Sequence, residues 1–197
     1  MIAAMIILIV GLALFLGIHS VRIVADGWRA RFIAARGQMT WKGLYSVIAV
    51  AGFVLICVGF GQARRQPVVL WSPPSWTHHV TASLTLLAFL LITAAYVPAN
   101  GIKSRVEEPM ILGVKCWALG HLLANGALAD VVLFGSFLVW SVLDFRAAKQ
   151  RRRAGMAPAI AAPRAARTAA TLIAGVLAWT LFAFHLHLLL IGVRPLV

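Results

Sequence analysis

A chain of 197 residues that is 62% hydrophobic and only 12% charged, with a mean hydropathy of +0.93, cannot cover itself with a polar surface, which excludes an ordinary water-soluble domain. The balance suits a polytopic helical membrane protein, whose outer face meets lipid. A net charge of +13 would suit a nucleic-acid binder, but the basic residues stand between hydrophobic runs, as topology signals do, with no basic helix or aromatic–basic interleave, so no nucleic-acid partner is expected.

The first run, Met1 to Ile18, has no Lys or Arg before it and no small-residue cleavage site after it. It reads as a retained first helix and not as a secretory signal. Further apolar runs complete an expected set of about six spans, near residues 2–22, 41–62, 77–97, 109–124, 126–145 and 169–192. The fourth is at the lower limit for crossing, which admits a tilted or partly re-entrant element. Asn125-Gly126 then turns it into the fifth. Basic residues crowd the loops after spans one, three and five, whereas the opposite side holds only Arg64, Arg65 and Arg194. The positive-inside rule makes the first group cytoplasmic and puts both termini outside, an all-α bundle with N-out/C-out topology. Trp41, Trp71 and Trp76 fall near span ends, where an indole keeps its N–H wet. Three segments follow: a transmembrane domain over residues 1–150, a basic Ala/Pro-rich linker at 146–168 that attracts anionic lipid, and a C-terminal span within 169–197. No internal repeat, Walker A loop, GxSxG or HExxH occurs. Cys57 and Cys116 each lie in an apolar run without a CxxC partner and read as buried thiols.

The stretch from Glu107 to Gly126 departs from a plain lipid-facing helix, because Lys115 and His121 interrupt it. Ionisable groups at such depth point to function. Lys115 is expected to snorkel toward the cytoplasm, and Asp130 to sit at a helix start favoured by the dipole. Of the six histidines, His78 and His79 start the third span at the outer interface, where water satisfies them. His19 lies in the first span and His121 in the fourth. Two imidazoles on different helices can clamp a haem iron axially, and Arg22, one turn from His19, could pair with a propionate. The other reading is that each imidazole hydrogen-bonds a neighbouring helix's carbonyl. His19 is about 5 Å from the cytoplasmic end of its expected span and His121 about 18 Å in, so a shared iron requires tilt or a re-entrant hairpin. His185 and His187 point about 200° apart on a helix, and either could replace His19 as partner to His121.

Gly17-Ile18-His19-Ser20-Val21-Arg22, Trp41-Lys42-Gly43-Leu44-Tyr45-Ser46, Pro109-Met110-Ile111-Leu112-Gly113-Val114-Lys115 and His121-Leu122-Leu123-Ala124-Asn125-Gly126, in that order, resemble the NnrU family across most of residues 1–150. The resemblance implies a multi-pass bacterial inner-membrane protein linked to nitrite and nitric oxide reduction in denitrifiers, with respiratory reductase machinery as a partner. It also implies kinship with the plant zeta-carotene isomerase, which uses haem b and acts on a polyene; that enzyme's haem histidines match His19 and His121. The isomerase's iron-ligating cysteine corresponds to Ala118 here. Arg105, Pro109 and Gly113 resemble the motif of integral-membrane methyltransferases, but Glu108 stands where that motif has histidine.

Overall fold

A computed structural model describes residues 1–195; the end of the expected C-terminal segment, 196 and 197, lies outside the described residues. The chain divides into two compact units, one of residues 1–71 with 127–144 and the other of residues 72–126 with the chain from 145 onward. The regular structure is helical: α1 (Ile2–Val24), α2 (Asp26–Arg36), α3 (Gln38–Ala63), α4 (Trp76–Tyr96), α5 (Gly101–Val106), α6 (Pro109–Ala124), α7 (Leu128–Arg153), α8 (Ala165–Leu181), a π-helical stretch (Phe182–Leu186) and α9 (His187–Ile191). Five helical segments, with α8 to α9 as one, are long and apolar enough to cross a bilayer. Their outward faces stay apolar, as at Val47 and Leu189, 69% and 77% exposed, which lipid tolerates and water does not. By helix length and hydropathy this is a multi-pass membrane protein.

In the first unit α1 and α3 pack antiparallel with their backbones nearly touching. A Cβ on Gly11 would come within 2.6 Å of Ile56 N, and one on Gly52 within 2.6 Å of Phe15 N. Helices that gain nothing from expelling water gain from this close contact. Leu8, Leu12 and Ile56 are buried along the seam. The first part of α7 completes the unit: Phe134 meets Phe60 and Phe137 meets Phe15, so α7 runs parallel to α1 and antiparallel to α3. Its start is anchored where Leu128 N–H donates to Val68 O (2.8 Å), and Asp130 accepts from Ala127 N–H (3.1 Å) at the expected dipole-favoured place.

Two expectations change here. The basic loop after α1 is the helix α2, whose Trp28 and Phe32 cover Trp41, leaving it 6% exposed. Trp41 therefore sits in an aromatic cluster and not at a wet span end. Arg29 lies over the same indole, 5.8 Å from its centre.

In the second unit α6 and α8 both run antiparallel to α4. A Cβ on Gly113 would meet Ile92 and Ala88, and one on Gly120 would meet Leu84 and Thr81, whose hydroxyl donates to Gly120 O (2.7 Å). The 16 residues of α6 span about 24 Å, short of the ~30 Å of hydrocarbon, yet their contacts with α4 reach from Thr81 to Ile92. On the other flank Gly175 faces Leu90, and Trp179 Nε1 donates to Thr85 Oγ1 (3.1 Å). Asn100, 1% exposed, organises one end: its amide donates to Ala94 O and Val97 O, and its carbonyl accepts from Lys103 N–H, capping α5. The expected basic linker is ordered at both ends, since α7 runs to Arg153 and α8 begins at Ala165, with Arg164 N–H bonded to Ala99 O.

Gly11→Leu is expected to force α1 and α3 apart, costing roughly 1–3 kcal/mol, and to lower the midpoint of detergent-driven unfolding. Gly43→Leu, which meets open space, should leave it within about 0.5 kcal/mol.

Candidate functional site

His19 stands five residues before the end of α1. Its Nδ1–H donates to Phe15 O one turn back (2.6 Å), because a carbonyl can only accept. That bond fixes the neutral tautomer with the lone pair on Nε2, the nitrogen a metal would take. Three rings surround it: Phe15 stacked at 4.3 Å, Tyr45 tilted at 5.1 Å and Trp140 edge-on at 6.0 Å. Trp140 also lines a groove of about 700 Å³ between α1 and α7, whose walls are apolar apart from Ser20, Ser136 and the indole itself. Gly17 and Gly135 make room for it, since a Cβ on either would meet nothing within 4 Å. The buried Trp140 Nε1 has no hydrogen-bond partner among the described residues. Arg22 is exposed in the last turn of α1, one turn beyond His19.

His121, in the second unit, repeats the arrangement. Its Nδ1–H donates to Trp117 O (2.9 Å), and the ring lies 5.3 Å from the Trp117 indole. Asn125 Nδ2 donates to His121 O (2.8 Å), closing the end of α6 and holding the residue from its backbone side. His187 differs, its Nδ1–H bonding forward to Val193 O beyond the end of α9 (2.7 Å), and it is near enough for its charge to act on His121. His185 is exposed on the π-helical stretch. His79 is exposed and His78 half-buried at the start of α4. No cluster of three or more His, Cys, Asp or Glu occurs among the described residues.

The aromatic cage of His19 and the groove beside it were not anticipated from the sequence. Phe15 at i−4 from His19 was the legible part; Tyr45 and Trp140 arrive from other helices and left no local signal.

Against models of known families, residues 7–195 match the one described as NnrU protein. The chain belongs to the NnrU family. No curated protein and no solved structure matches it significantly. The match takes in the linker and the last helix of this NnrU-family chain as well as the segment that carries the motifs. The residues present fit a haem in kind: neutral imidazoles with Nε2 as the lone-pair nitrogen and, beside His19, an apolar recess left open by two glycines. At Ala118 the NnrU chain has a fully buried methyl group and no thiol; Cys116, two residues earlier, is half-buried.

The acidic pair before α6 forms a second polar cluster of this NnrU protein with Lys149 and Arg152, and Lys115 lies apart from it over the Phe145 ring. Glu107 adopts φ 65° in a tight turn closed by Glu108 N–H to Val106 O (2.7 Å), a strained conformation for a non-glycine residue. The tail of α7 holds it there: Lys149 donates to Glu107, and Arg152 pairs with Glu108 (3.1 Å) and Glu107 (3.7 Å). The bond from Lys149 pulls the Glu107 carboxyl below the usual range; desolvation opposes this, and the charges of Lys149 and Arg152 add to it. The folded value is depressed, so the clamp's contribution is fully present above the ordinary glutamate value of about 4.3 and is lost as pH falls through the lowered one. Hydrogen exchange at the α5–α6 turn should accordingly lose protection on acidification in the native protein. In Glu107→Gln the turn should exchange fast already at neutral pH and change little in acid.

Proposed function

We propose that this NnrU-family protein binds haem b in the bacterial inner membrane and serves nitrite and nitric oxide reduction in denitrifiers. In this reading His19 and His121 would hold the iron, and Arg22 would pair with a propionate. One observation carries it: both imidazoles donate Nδ1–H to the carbonyl one turn back in their own helix, which leaves Nε2 as the coordinating nitrogen. That local bond also tells against the competing idea that each ring's purpose is to bond a neighbouring helix. The recess beside His19 supplies apolar surface of the kind that holds a porphyrin face and excludes water. Bound haem would supply an iron able to take an electron or a diatomic ligand. The protein's own part is to orient the imidazoles and keep the recess dry.

The absorption spectrum of protein purified in detergent tests this. A six-coordinate low-spin haem is expected, and His19→Ala or His121→Ala should move it toward high spin, with displaced Soret and visible bands. Arg22→Ala should weaken haem retention with less change of spin state. His78→Ala and His79→Ala should leave the spectrum unaltered. A normal spectrum from His19→Ala, with a lost ligand in His185→Ala or His187→Ala, would transfer the second ligand to the last helix.

A second reading, a haem-dependent cis–trans isomerase acting on a carotenoid-like polyene, is favoured by the length of the groove. Its lining runs from Ile9 to Ser20, about 16 Å along α1, a shape suited to an extended hydrocarbon. Geometric conversion of a cis-carotene by the reduced, haem-loaded protein would support it; nitric oxide binding without conversion would favour the respiratory role.

Both readings share one topology, with the termini outside and the segment between α7 and α8 in the cytoplasm. Reporter fusions at residue 158 and at the C-terminus should therefore report opposite compartments.

A further inference from the structure

We propose that Lys115 and Arg146 receive the phosphate of an anionic phospholipid from the cytoplasmic leaflet. Lys115 lies six residues past Pro109, about 9 Å along α6. Its Nζ sits 3.9 Å over the ring of Phe145, and Arg146, the next residue of α7, is near enough for its charge to act on Lys115. Lys149 reaches the same ring from 5.7 Å. The acidic residues of this unit are Glu107 and Glu108, and both are engaged by Lys149 and Arg152. Asp144 lies one residue before Phe145 on α7, and its charge acts on Tyr45. Neither Lys115 nor Arg146 forms an ion pair with a carboxylate among the described residues, and the charges that act on Lys115 are those of Arg146 and Cys116. A cation at that depth on an apolar helix is costly, and a ring face offsets only part of the cost. An anion supplied from outside the chain completes the site.

The neighbouring surface identifies the anion's source. Leu119 and Leu123 follow Lys115 at one-turn intervals on the same face of α6 and are 42% and 37% exposed. A cation with exposed leucines running deeper along the same face matches a headgroup phosphate with an acyl chain beneath it, and not a free ion. Arg151, Arg153, Arg164 and Arg167, at the same end of the unit, extend the positive field toward the anionic surface of the inner leaflet. The inference is independent of the haem reading, since neither imidazole takes part.

Native mass spectrometry of detergent-purified protein titrated with phosphatidylglycerol or phosphatidylcholine tests it. The native protein should retain phosphatidylglycerol preferentially, and Lys115→Gln with Arg146→Gln should weaken that retention roughly 25-fold, about fivefold for each cation removed. Arg64→Gln with Arg65→Gln, which belong to the first unit and not to this site, should change nothing. Excess inorganic phosphate should not displace the lipid; if it does so readily, the site takes a soluble anion and the proposal fails. Phosphatidylglycerol retained at the native level by the double variant would also overturn it. Should circular dichroism show the double variant unfolded, Arg146→Gln decides alone, because that side chain is exposed and bears no packing: a loss of about fivefold supports the site, and no loss refutes it.

Discussion

The closest constraint in the molecule is backbone against backbone. Where α1 crosses α3 at Gly11 and Gly52, no side-chain atom fits between the helices, and Gly113 and Gly175 play the same part on the two flanks of α4. In a bilayer the apolar side chains gain nothing by leaving lipid for protein, so association depends on dispersion and on polar bonds made at short range. Close approach supplies the first. It also permits the second: Thr81 reaches Gly120 O and Trp179 reaches Thr85 because the helices already stand near enough.

Polar groups within this apolar frame are arranged so that most are spent locally. Serine and threonine hydroxyls bond carbonyls three or four residues back, as at Ser20, Thr93 and Thr171. His19 and His121 use the same economy for one ring nitrogen, Nδ1, which makes Nε2 the lone-pair nitrogen of each ring. Their distinction from the hydroxyls is chemical: a hydroxyl that is satisfied locally has little left to do, whereas a neutral imidazole fixed at Nδ1 is prepared for a ligand at Nε2. The unpartnered Trp140 Nε1 beside the groove marks the place where local satisfaction was not achieved.

Charge is handled differently at the basic end of the second unit. Strain at Glu107 is held by Lys149 and Arg152, which join the turn before α6 to the tail of α7. The two carboxylates there are consumed by this clamp, and the exposed Arg153, Arg164 and Arg167 form a field suited to anionic lipid. One end of the fold is therefore both a structural joint and an electrostatic surface.

Much of this was legible in the residues. Apolar runs bounded by Pro, Gly and basic clusters located α1, α3, α4, α6 and the C-terminal helix to within a few residues, because helix length in a bilayer is set by hydrocarbon thickness and not by tertiary context. The motifs around His19 and His121 also announced the family. The expectation that no basic helix occurs fails at α2, where Arg29, Arg31 and Arg36 stand with Trp28 and Phe32 on one short helix; such a stretch is equally that of an interfacial loop until Trp41 is there to be covered. The sequence also could not show that α7 continues to Arg153: the basic run Arg151-Arg152-Arg153 has no helical partner until Glu107 and Glu108 are brought beside it. The hub role of Asn100 was invisible for the same reason, since its partners are the carbonyls of a preceding helix end. The cage of His19 and the open recess at Gly17 and Gly135 depend on side chains more than a hundred residues apart in the chain. Composition and spacing determine which segments enter the membrane and which carry ionisable groups; only packing decides what those groups face, because a contact between helices leaves no periodicity in either one alone.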